Sequence, residues 1–129
     1  MNKQVLAMGG GGFTSQPENL KLDKYLLSLS DKKIPKVCFI PTASGDDESY
    51  KRRFYSSYKK LNCETSHLSL FSPPEGDLRE YILDKDIFYV GGGNTRNLMV
   101  LWKEWELDKY LYEAWCGGAI MAGLSAGSI

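Results

Sequence analysis

Short apolar segments alternate along this chain with segments of helical periodicity, and that alternation constrains the fold more than any other feature. The apolar segments have the length, and the glycine, proline or charged boundaries, of buried strands. They lie at 4–8, 36–40, 64–70, 86–90 and 119–122. Helical patterns lie between them at 20–29, 48–61, 77–83, 95–102 and 107–115. Because strand–helix–strand units need crossover connections, the sequence predicts an α/β protein with a doubly wound, mainly parallel sheet flanked by helices.

The first helical segment shows a clear apolar face. Within 20–29, that face carries Leu22, Tyr25, Leu26 and Leu29. An amphipathic helix packs its apolar face against the core, so these four side chains are predicted to be buried.

Size and charge limit the class of protein. The chain has 129 residues, about the size of one domain, so a single domain over 1–129 is predicted. Sixteen basic residues balance sixteen acidic ones without forming blocks, so neither nucleic acid nor a membrane is an expected partner. No apolar run approaches the ~20 residues of a membrane span, and the apolar part of the N-terminus is too short for a signal peptide.

The cysteines indicate a reducing compartment. Cys38, Cys63 and Cys116 are far apart and odd in number, which favours free thiols over a disulfide framework. We therefore expect a cytoplasmic protein. The cysteines form no Cys/His cluster of the kind that binds zinc, so no metal site is predicted.

Loops of small and polar residues follow four of the predicted strands. Their sequences are GGGGF at 9–13, PTASGDD at 41–47, GGGNT at 91–95 and GLSAGS at 123–128. In an open parallel sheet, ligands bind beyond the carboxyl ends of the strands, where such loops lead into helices. The sequence therefore predicts that a functional site lies at this edge.

The first loop resembles part of a dinucleotide-binding fingerprint. The third glycine of that fingerprint would fall on Thr14 or Ser15, so the G-x-G-x-x-G spacing is incomplete. A close-packed turn is favoured over a nucleotide or phosphate site, and no cofactor is predicted.

The second loop carries polar side chains that could contact a substrate. They are Thr42, Ser44, Asp46 and Asp47. Ser and Asp directly before a helix are ordinary N-caps, so capping is the favoured interpretation.

The third loop has the composition of an oxyanion site. Three glycines, 91–93, allow the backbone to turn with its N–H groups pointing outward, and the following helix adds the positive end of its dipole. The alternative is a tight turn with Asn94 as the N-cap.

The fourth loop resembles a nucleophile elbow. Ser125 follows an apolar segment, with Gly123 and Gly127 two residues away on either side, and the N–H of Ala126 comes directly after it as an oxyanion donor. The alternative is a serine that only caps a helix.

A serine nucleophile needs a base, and the sequence offers a single histidine. His67 lies within the predicted strand 64–70, where a structural or surface histidine is more common than a catalytic one. No S-x-x-K spacing surrounds Ser125 to supply a lysine base.

Taken together, the loop motifs resemble the peptidase E family of serine alpha-aspartyl dipeptidases and their cyanophycinase-like relatives. The matching stretches are MGGGGF at 8–13, IPTAS at 40–44, GGGNT at 91–95 and GLSAGS at 123–128. The resemblance implies a fold similar to class I glutamine amidotransferases, in a C-terminally shortened form. It implies small peptides with an N-terminal aspartate (Asp-X peptides) as substrates, cleaved through an acyl-enzyme without metal or cofactor.

The resemblance also assigns roles to individual residues. It implies Ser125 as the nucleophile, Ala126 as one oxyanion donor, Gly93 with Gly92 as the other, and Asn94, Thr95, Gly123 and Gly127 as residues that shape the site. In the family the histidine and its acidic partner follow the nucleophile, and these positions have no counterpart in the printed sequence.

Two functional hypotheses therefore remain open. One is a serine peptidase for Asp-X peptides, and the other is a catalytically inactive scaffold or interaction module of the same fold. In both, the last strand is expected to be an exposed edge, and a homodimer is expected to form through aromatic helix residues. Those residues are Trp102, Trp105, Tyr110, Tyr112 and Trp115.

Overall fold

A five-stranded parallel sheet with helices on both faces organises the chain. The computed structural model describes residues 4–8, 13, 19–71 and 76–124. The strands are β1 (Gln4–Met8), β2 (Lys36–Ile40), β3 (Glu64–His67), β4 (Ile87–Val90) and β5 (Ile120–Leu124). The α-helices are α1 (Lys21–Ser28), α2 (Glu48–Tyr58), α3 (Leu78–Leu83), α4 (Thr95–Glu104) and α5 (Leu107–Cys116), and a 3₁₀ helix spans Thr42–Ser44.

The order of strands across the sheet is β1-β5-β4-β2-β3, and every neighbouring pair is parallel. The prediction of an α/β protein with a mainly parallel sheet is therefore confirmed. The longest helix, α2, has 11 residues. Among the residues that the structure describes, no helix is long and apolar enough to cross a membrane.

The last strand is not an edge of this sheet, so that prediction was wrong. β5 lies between β1 and β4, and the two edges of the sheet are β1 and β3. Burial explains the difference, because Ile120 and Ala122 are each 2% exposed, as expected for a strand covered on both faces. In the edge strand β1, by contrast, Val5 is 64% exposed.

Alternate residues of each central strand contribute to two separate cores. Phe39 and Tyr89 pack with α1 and α2 on one face of the sheet. Ile40 and Phe88 pack with α3, α4 and α5 on the other. This period of two is the consequence of side chains alternating across a strand, and it leaves β2 and β4 apolar on both sides.

The buried face of α1 differs from the predicted one. Leu26 is fully buried as expected, whereas Leu22 and Tyr25 are exposed. Asp23 is buried in their place, and its carboxylate accepts a 2.7 Å hydrogen bond from the Tyr58 hydroxyl. The face of α1 that packs on the core therefore carries Asp23 with Leu26, and the bond from Tyr58 offsets part of the cost of burying the carboxylate.

The tryptophans predicted to form a dimer surface make contacts inside the chain. Trp102 and Trp105 pack partly buried against the core on the α4–α5 face. Each of the three indole N–H groups donates a 3.2 Å hydrogen bond, and the acceptors are Thr42 Oγ1, the Leu70 carbonyl oxygen and the Gln4 carbonyl oxygen. Tyr112, which was predicted for the same dimer surface, differs from the tryptophans because it is 62% exposed.

Candidate functional site

The loops that follow β2 and β4 meet at the carboxyl edge of the sheet. The Gly91 N–H donates to the carbonyl oxygen of Ile40 at 3.1 Å, which extends the pairing of the two strands by one residue. Three residues later, the Asn94 N–H donates to the carbonyl oxygen of Ala43 at 2.6 Å. The GGGNT loop therefore lies directly against the 3₁₀ helix of the second loop.

The strand register brings the GGGNT loop next to the end of β5. Val90, the last residue of β4, pairs with Gly123 of β5. Gly123 also pairs with Ala7 on its other side and is buried within the strand. The loop after β4 thus begins beside the point where the described part of β5 ends, at Leu124.

Three of the residues assigned to the site lie outside the described residues. They are Ser125, Ala126 and Gly127. The glycines at 9–12, which resemble part of a nucleotide-binding loop, also lie outside them. Of the four loops, the structure describes those at 41–47 and 91–95 in full.

Gly93 is held in a conformation and at a distance that exclude other residues. Its φ is +147°, outside the range that L side chains favour. A Cβ added to it would lie 2.3 Å from the carbonyl oxygen of Ala43 and 2.8 Å from the backbone nitrogen of Ser44. The loop can pack on the 3₁₀ helix only because this position is glycine.

Tyr50, in the first turn of α2, packs directly against the same loop. The Gly92 N–H donates to its hydroxyl oxygen at 3.3 Å. A Cβ on Gly91 would lie 2.9 Å from its ring atom Cε2. The Gly92 N–H is therefore directed at Tyr50, and among the described residues the Gly93 N–H has no hydrogen-bond partner.

Asn94 and Thr95 begin helix α4. The Asn94 side chain accepts a 3.0 Å hydrogen bond from the Asn97 N–H, the geometry of an N-cap, and Thr95 is the first helical residue. The cap directs the N-terminus of α4, with its partial positive charge, toward the carboxyl edge of the sheet. Capping and a role in the site are compatible at this position.

The polar residues of the second loop make internal contacts. Asp47 caps α2 by accepting from the Ser49 N–H at 3.3 Å, as predicted. Thr42 is fully buried and bonds to Trp102, and the Ser44 hydroxyl donates to the carbonyl oxygen of Pro41 at 2.9 Å. These side chains build the loop on which Gly93 rests.

Asp46 has a structural role that the sequence did not indicate. Its Oδ2 accepts 2.8 Å hydrogen bonds from the N–H groups of both Leu70 and Phe71. It also adopts a left-handed φ of 57°, which Asp tolerates better than most residues. The carboxylate thereby fastens the loop after β3 to the loop after β2.

His67 lies far from β5 in the sheet. It ends β3, the edge strand, and β2 and β4 lie between that strand and β5. Neighbouring strands are about 4.8 Å apart, so His67 is separated from β5 by roughly 14 Å of sheet. The strand that carries His67 is therefore remote from β5.

The surroundings of His67 give it a structural function. Its Nδ1 and the Tyr55 hydroxyl oxygen are 2.6 Å apart, and its carbonyl oxygen accepts from the Tyr81 hydroxyl at 2.7 Å. Burial, followed by the charge of Lys51, lowers the pKa of the imidazole. Burial also raises the pKa of the Tyr55 hydroxyl to about 12. His67 is thus a neutral hydrogen-bonding residue near pH 7.

The described ranges offer no ready metal site. Across 4–8, 13, 19–71 and 76–124, no three His, Cys, Asp or Glu side chains gather as a ligand set.

Comparison with known proteins identifies the family. The model of peptidase family S51 matches residues 5–129. The uncharacterized peptidase YgaJ of Bacillus subtilis (strain 168) is 57% identical over 127 residues, which cover 98% of this chain and 55% of YgaJ. The uncharacterized peptidase Lmo0363 of Listeria monocytogenes serovar 1/2a is 30% identical over 95 residues, or 72% of this chain and 46% of that protein. The chain thus spans about half the length of these curated relatives.

Two solved structures share the fold. The crystal structure of a peptidase from an acI-B1 Actinobacterium superimposes with a TM-score of 0.75 at 25% identity, covering 95% of this chain and 54% of the other. That of a candidate peptidase E from Listeria monocytogenes EGD-e gives a TM-score of 0.74 at 23% identity, covering 97% of this chain and 59% of the other. The resemblance carried by the four loop motifs is confirmed by the family match. The chain belongs to peptidase family S51, the peptidase E family.

Proposed function

We propose that this chain carries the nucleophile and oxyanion loops of a cytoplasmic serine peptidase that hydrolyses small Asp-X peptides. The observation that supports this most is the pairing of Val90 with Gly123, because it starts the GGGNT loop beside the residues that lead to Ser125. Membership of peptidase family S51 supports the reaction class.

The proposed chemistry is acyl transfer. The general base takes the hydroxyl proton of Ser125 as its oxygen attacks the α-carbonyl carbon of the N-terminal Asp. The amide C–N bond then breaks, and the amine leaves with that proton. Water then attacks the resulting ester and releases the acid, which regenerates the serine.

The oxyanion of the tetrahedral intermediate needs two fixed N–H donors, for which we propose Gly93 and Ala126. Gly93 is preferred to Gly92, since the Gly92 N–H already donates to Tyr50. The N-terminus of α4, capped by Asn94, adds a favourable potential for the same negative charge.

His67 is not proposed as the base. Two strands, β2 and β4, lie between it and β5, and it bonds to Tyr55. The chain covers 55% of YgaJ, so we assign the histidine and acidic partner to the part of the family fold beyond the matched residues.

A catalytically inactive scaffold of the same fold is the second candidate. The distance of the lone histidine from β5 favours it for these 129 residues taken alone. The two candidates differ in whether Ser125 is reactive.

The test is covalent labelling and turnover of a fusion of this chain with the part of YgaJ that its match does not cover, since the proposal assigns the base to that part. Diisopropyl fluorophosphate should modify Ser125, and Asp-Leu should be hydrolysed while N-acetyl-Asp-Leu is not. Ser125→Ala should abolish both signals, whereas Ser128→Ala, a serine in the same motif, and His67→Ala should retain them. A folded wild-type fusion that is neither labelled nor active would reject the peptidase proposal and support the scaffold.

A further inference from the structure

We propose that Tyr50 is a positioning residue for the Gly91–Gly93 loop, acting through the Gly92 N–H to orient the oxyanion donor at Gly93. The inference rests on the proposed peptidase function. Tyr50 has no place in the sequence motifs of the family resemblance, since its position follows IPTAS by several residues.

The first line of support is polar. The Tyr50 hydroxyl oxygen accepts a 3.3 Å hydrogen bond from the Gly92 N–H. The N–H two residues further on, that of Asn94, is fixed by the carbonyl oxygen of Ala43 at 2.6 Å. The N–H groups on either side of Gly93, those of Gly92 and Asn94, are thus both fixed by hydrogen bonds. Few backbone dihedral angles satisfy both bonds, and this limits the direction of the Gly93 N–H.

The second line is steric. The Tyr50 ring lies so close to the Gly91 Cα that a Cβ there would be 2.9 Å from Cε2 and 3.1 Å from the hydroxyl oxygen. Glycine at this position lets the loop sit flat on the aromatic ring. Contact with the ring therefore limits how closely the loop can approach α2, independently of the hydrogen bond.

The third line is the rigidity of the ring itself. Tyr50 is 4% exposed and packs edge-on against Phe39, with ring centroids 4.8 Å apart. The Arg53 guanidinium carbon lies 4.9 Å above its centroid, and the Phe13 ring lies 5.8 Å away. A side chain held on several sides transmits its position to whatever its hydroxyl binds.

These contacts give Tyr50 a role beyond core packing. An oxyanion donor is effective only when its direction is set before the negative charge develops. Without the hydroxyl, the Gly92 N–H loses its partner and the peptide between Gly92 and Gly93 gains freedom to rotate. The aromatic ring alone supports the loop but does not orient its N–H groups.

The decisive comparison is Tyr50→Phe against Tyr55→Phe. Tyr55 lies on the same helix, and its hydroxyl contacts His67 rather than the glycine loop. Each variant removes one hydroxyl from α2 and keeps the ring. In ¹⁵N-labelled protein, Tyr50→Phe should shift the amide signals of Gly92 and Gly93 and speed their hydrogen exchange, and Tyr55→Phe should leave both signals at their wild-type values.

Reactivity provides the second readout. Tyr50→Phe should lower kcat for Asp-Leu, and the rate of labelling of Ser125, by about tenfold with KM nearly unchanged, because misplaced donors affect the transition state more than the bound substrate. Tyr55→Phe should remain within about twofold of wild type on both measures.

The outcomes separate this inference from the proposed function. Labelling and turnover are measured in the fusion described above, and a wild-type fusion that is neither labelled nor active rejects the peptidase function and with it a role in catalysis for Tyr50. Unchanged Gly92 and Gly93 amides in Tyr50→Phe, or equal labelling rates in the two variants of an active protein, overturn the positioning role and leave the peptidase function intact.

Discussion

Gly93 faces the carbonyl oxygen of Ala43 so closely that a Cβ on the glycine would lie 2.3 Å from that oxygen. The contact joins the loop after β4 to the loop after β2, and the bond from the Asn94 N–H to the same oxygen reinforces it. The proposed oxyanion loop therefore packs on backbone atoms of the second loop. Substitutions of side chains in the second loop would leave these contacts in place.

Gly93→Ala should destabilise the protein by roughly 3 kcal/mol or more, since backbone strain and overpacking each cost about 1–3 kcal/mol. The matched control is Gly76→Ala. Gly76 also has a positive φ, of 72°, but nothing lies within 4 Å of an added Cβ. Its cost should be only the ~1 kcal/mol of a left-handed backbone. Urea unfolding measures both, and equal losses would contradict the close contact.

Asp46→Ala should destabilise the fold by about 2–4 kcal/mol, because the N–H groups of Leu70 and Phe71 lose a charged acceptor. Asp46→Asn should cost less, since asparagine keeps an oxygen acceptor and tolerates the left-handed φ. Asp47→Ala, which removes only a helix cap, should cost about 1 kcal/mol. Thermal or urea unfolding that ranks Asp47→Ala above Asp46→Ala would show that the fastening role is wrong.

The sequence predicts the strands well because their signals are local. Strands β1 and β2 have the predicted bounds. β5 begins at Ile120, one residue after the start of the predicted segment 119–122, and ends at Leu124. The lateral order of the strands was not predictable in the same way, and the edge position expected for β5 was wrong. Strand order depends on long-range pairing, which a single sequence does not record.

Two polar contacts in the core, those of Tyr50 and Asp23, were missed for a related reason. Tyr50 has the spacing of a core aromatic, four residues before Phe54, and nothing in that spacing shows that its hydroxyl meets Gly92. Asp23 interrupts an apolar helix face, yet it is buried because Tyr58 from another helix supplies a donor. Hydrogen bonds between distant segments are fixed by the fold, so local patterns do not reveal them.

The stability of the protein should fall on acidification from pH 7.5 to 5, in part because of His67. Its pKa in the folded state lies below the ordinary value of 6.5, so the unfolded chain takes up a proton more readily. The stabilising contribution of the neutral ring is present above pH 6.5 and is lost as the pH falls toward the lowered folded-state value. Lys51 opposes the charged form, while Glu48 and Asp46 favour it less strongly.

Comparison with His67→Gln isolates this contribution. The substitution removes the titrating group, so the difference in unfolding free energy between wild type and variant should be largest at pH 7.5 and shrink toward pH 5. Urea titrations at both pH values provide the measurement. Parallel pH dependence in the two proteins would mean that His67 does not titrate differently on folding.

We still propose that this chain forms a homodimer, but through a different surface from the one that the sequence predicted. Trp102 and Trp105 are largely occupied by the core, whereas Val5 on edge strand β1 and Tyr112 on α5 are 64% and 62% exposed. Trp115 connects the two, because its indole N–H bonds to Gln4 of β1 and its ring lies 5.9 Å from that of Tyr112. Exposed apolar groups beside an open strand edge favour association.

Tyr112→Lys should therefore shift the chain from dimer to monomer in sedimentation velocity at micromolar concentration, since a buried aromatic contributes strongly to an interface and a lysine there is costly to desolvate. Tyr25→Lys is the matched control, because Tyr25 is a 53% exposed tyrosine on α1, and α1 packs on the opposite face of the sheet from α5. Both variants should unfold near the wild-type urea midpoint. A wild-type monomer would reject the dimer, and equal effects of the two variants would reject this surface.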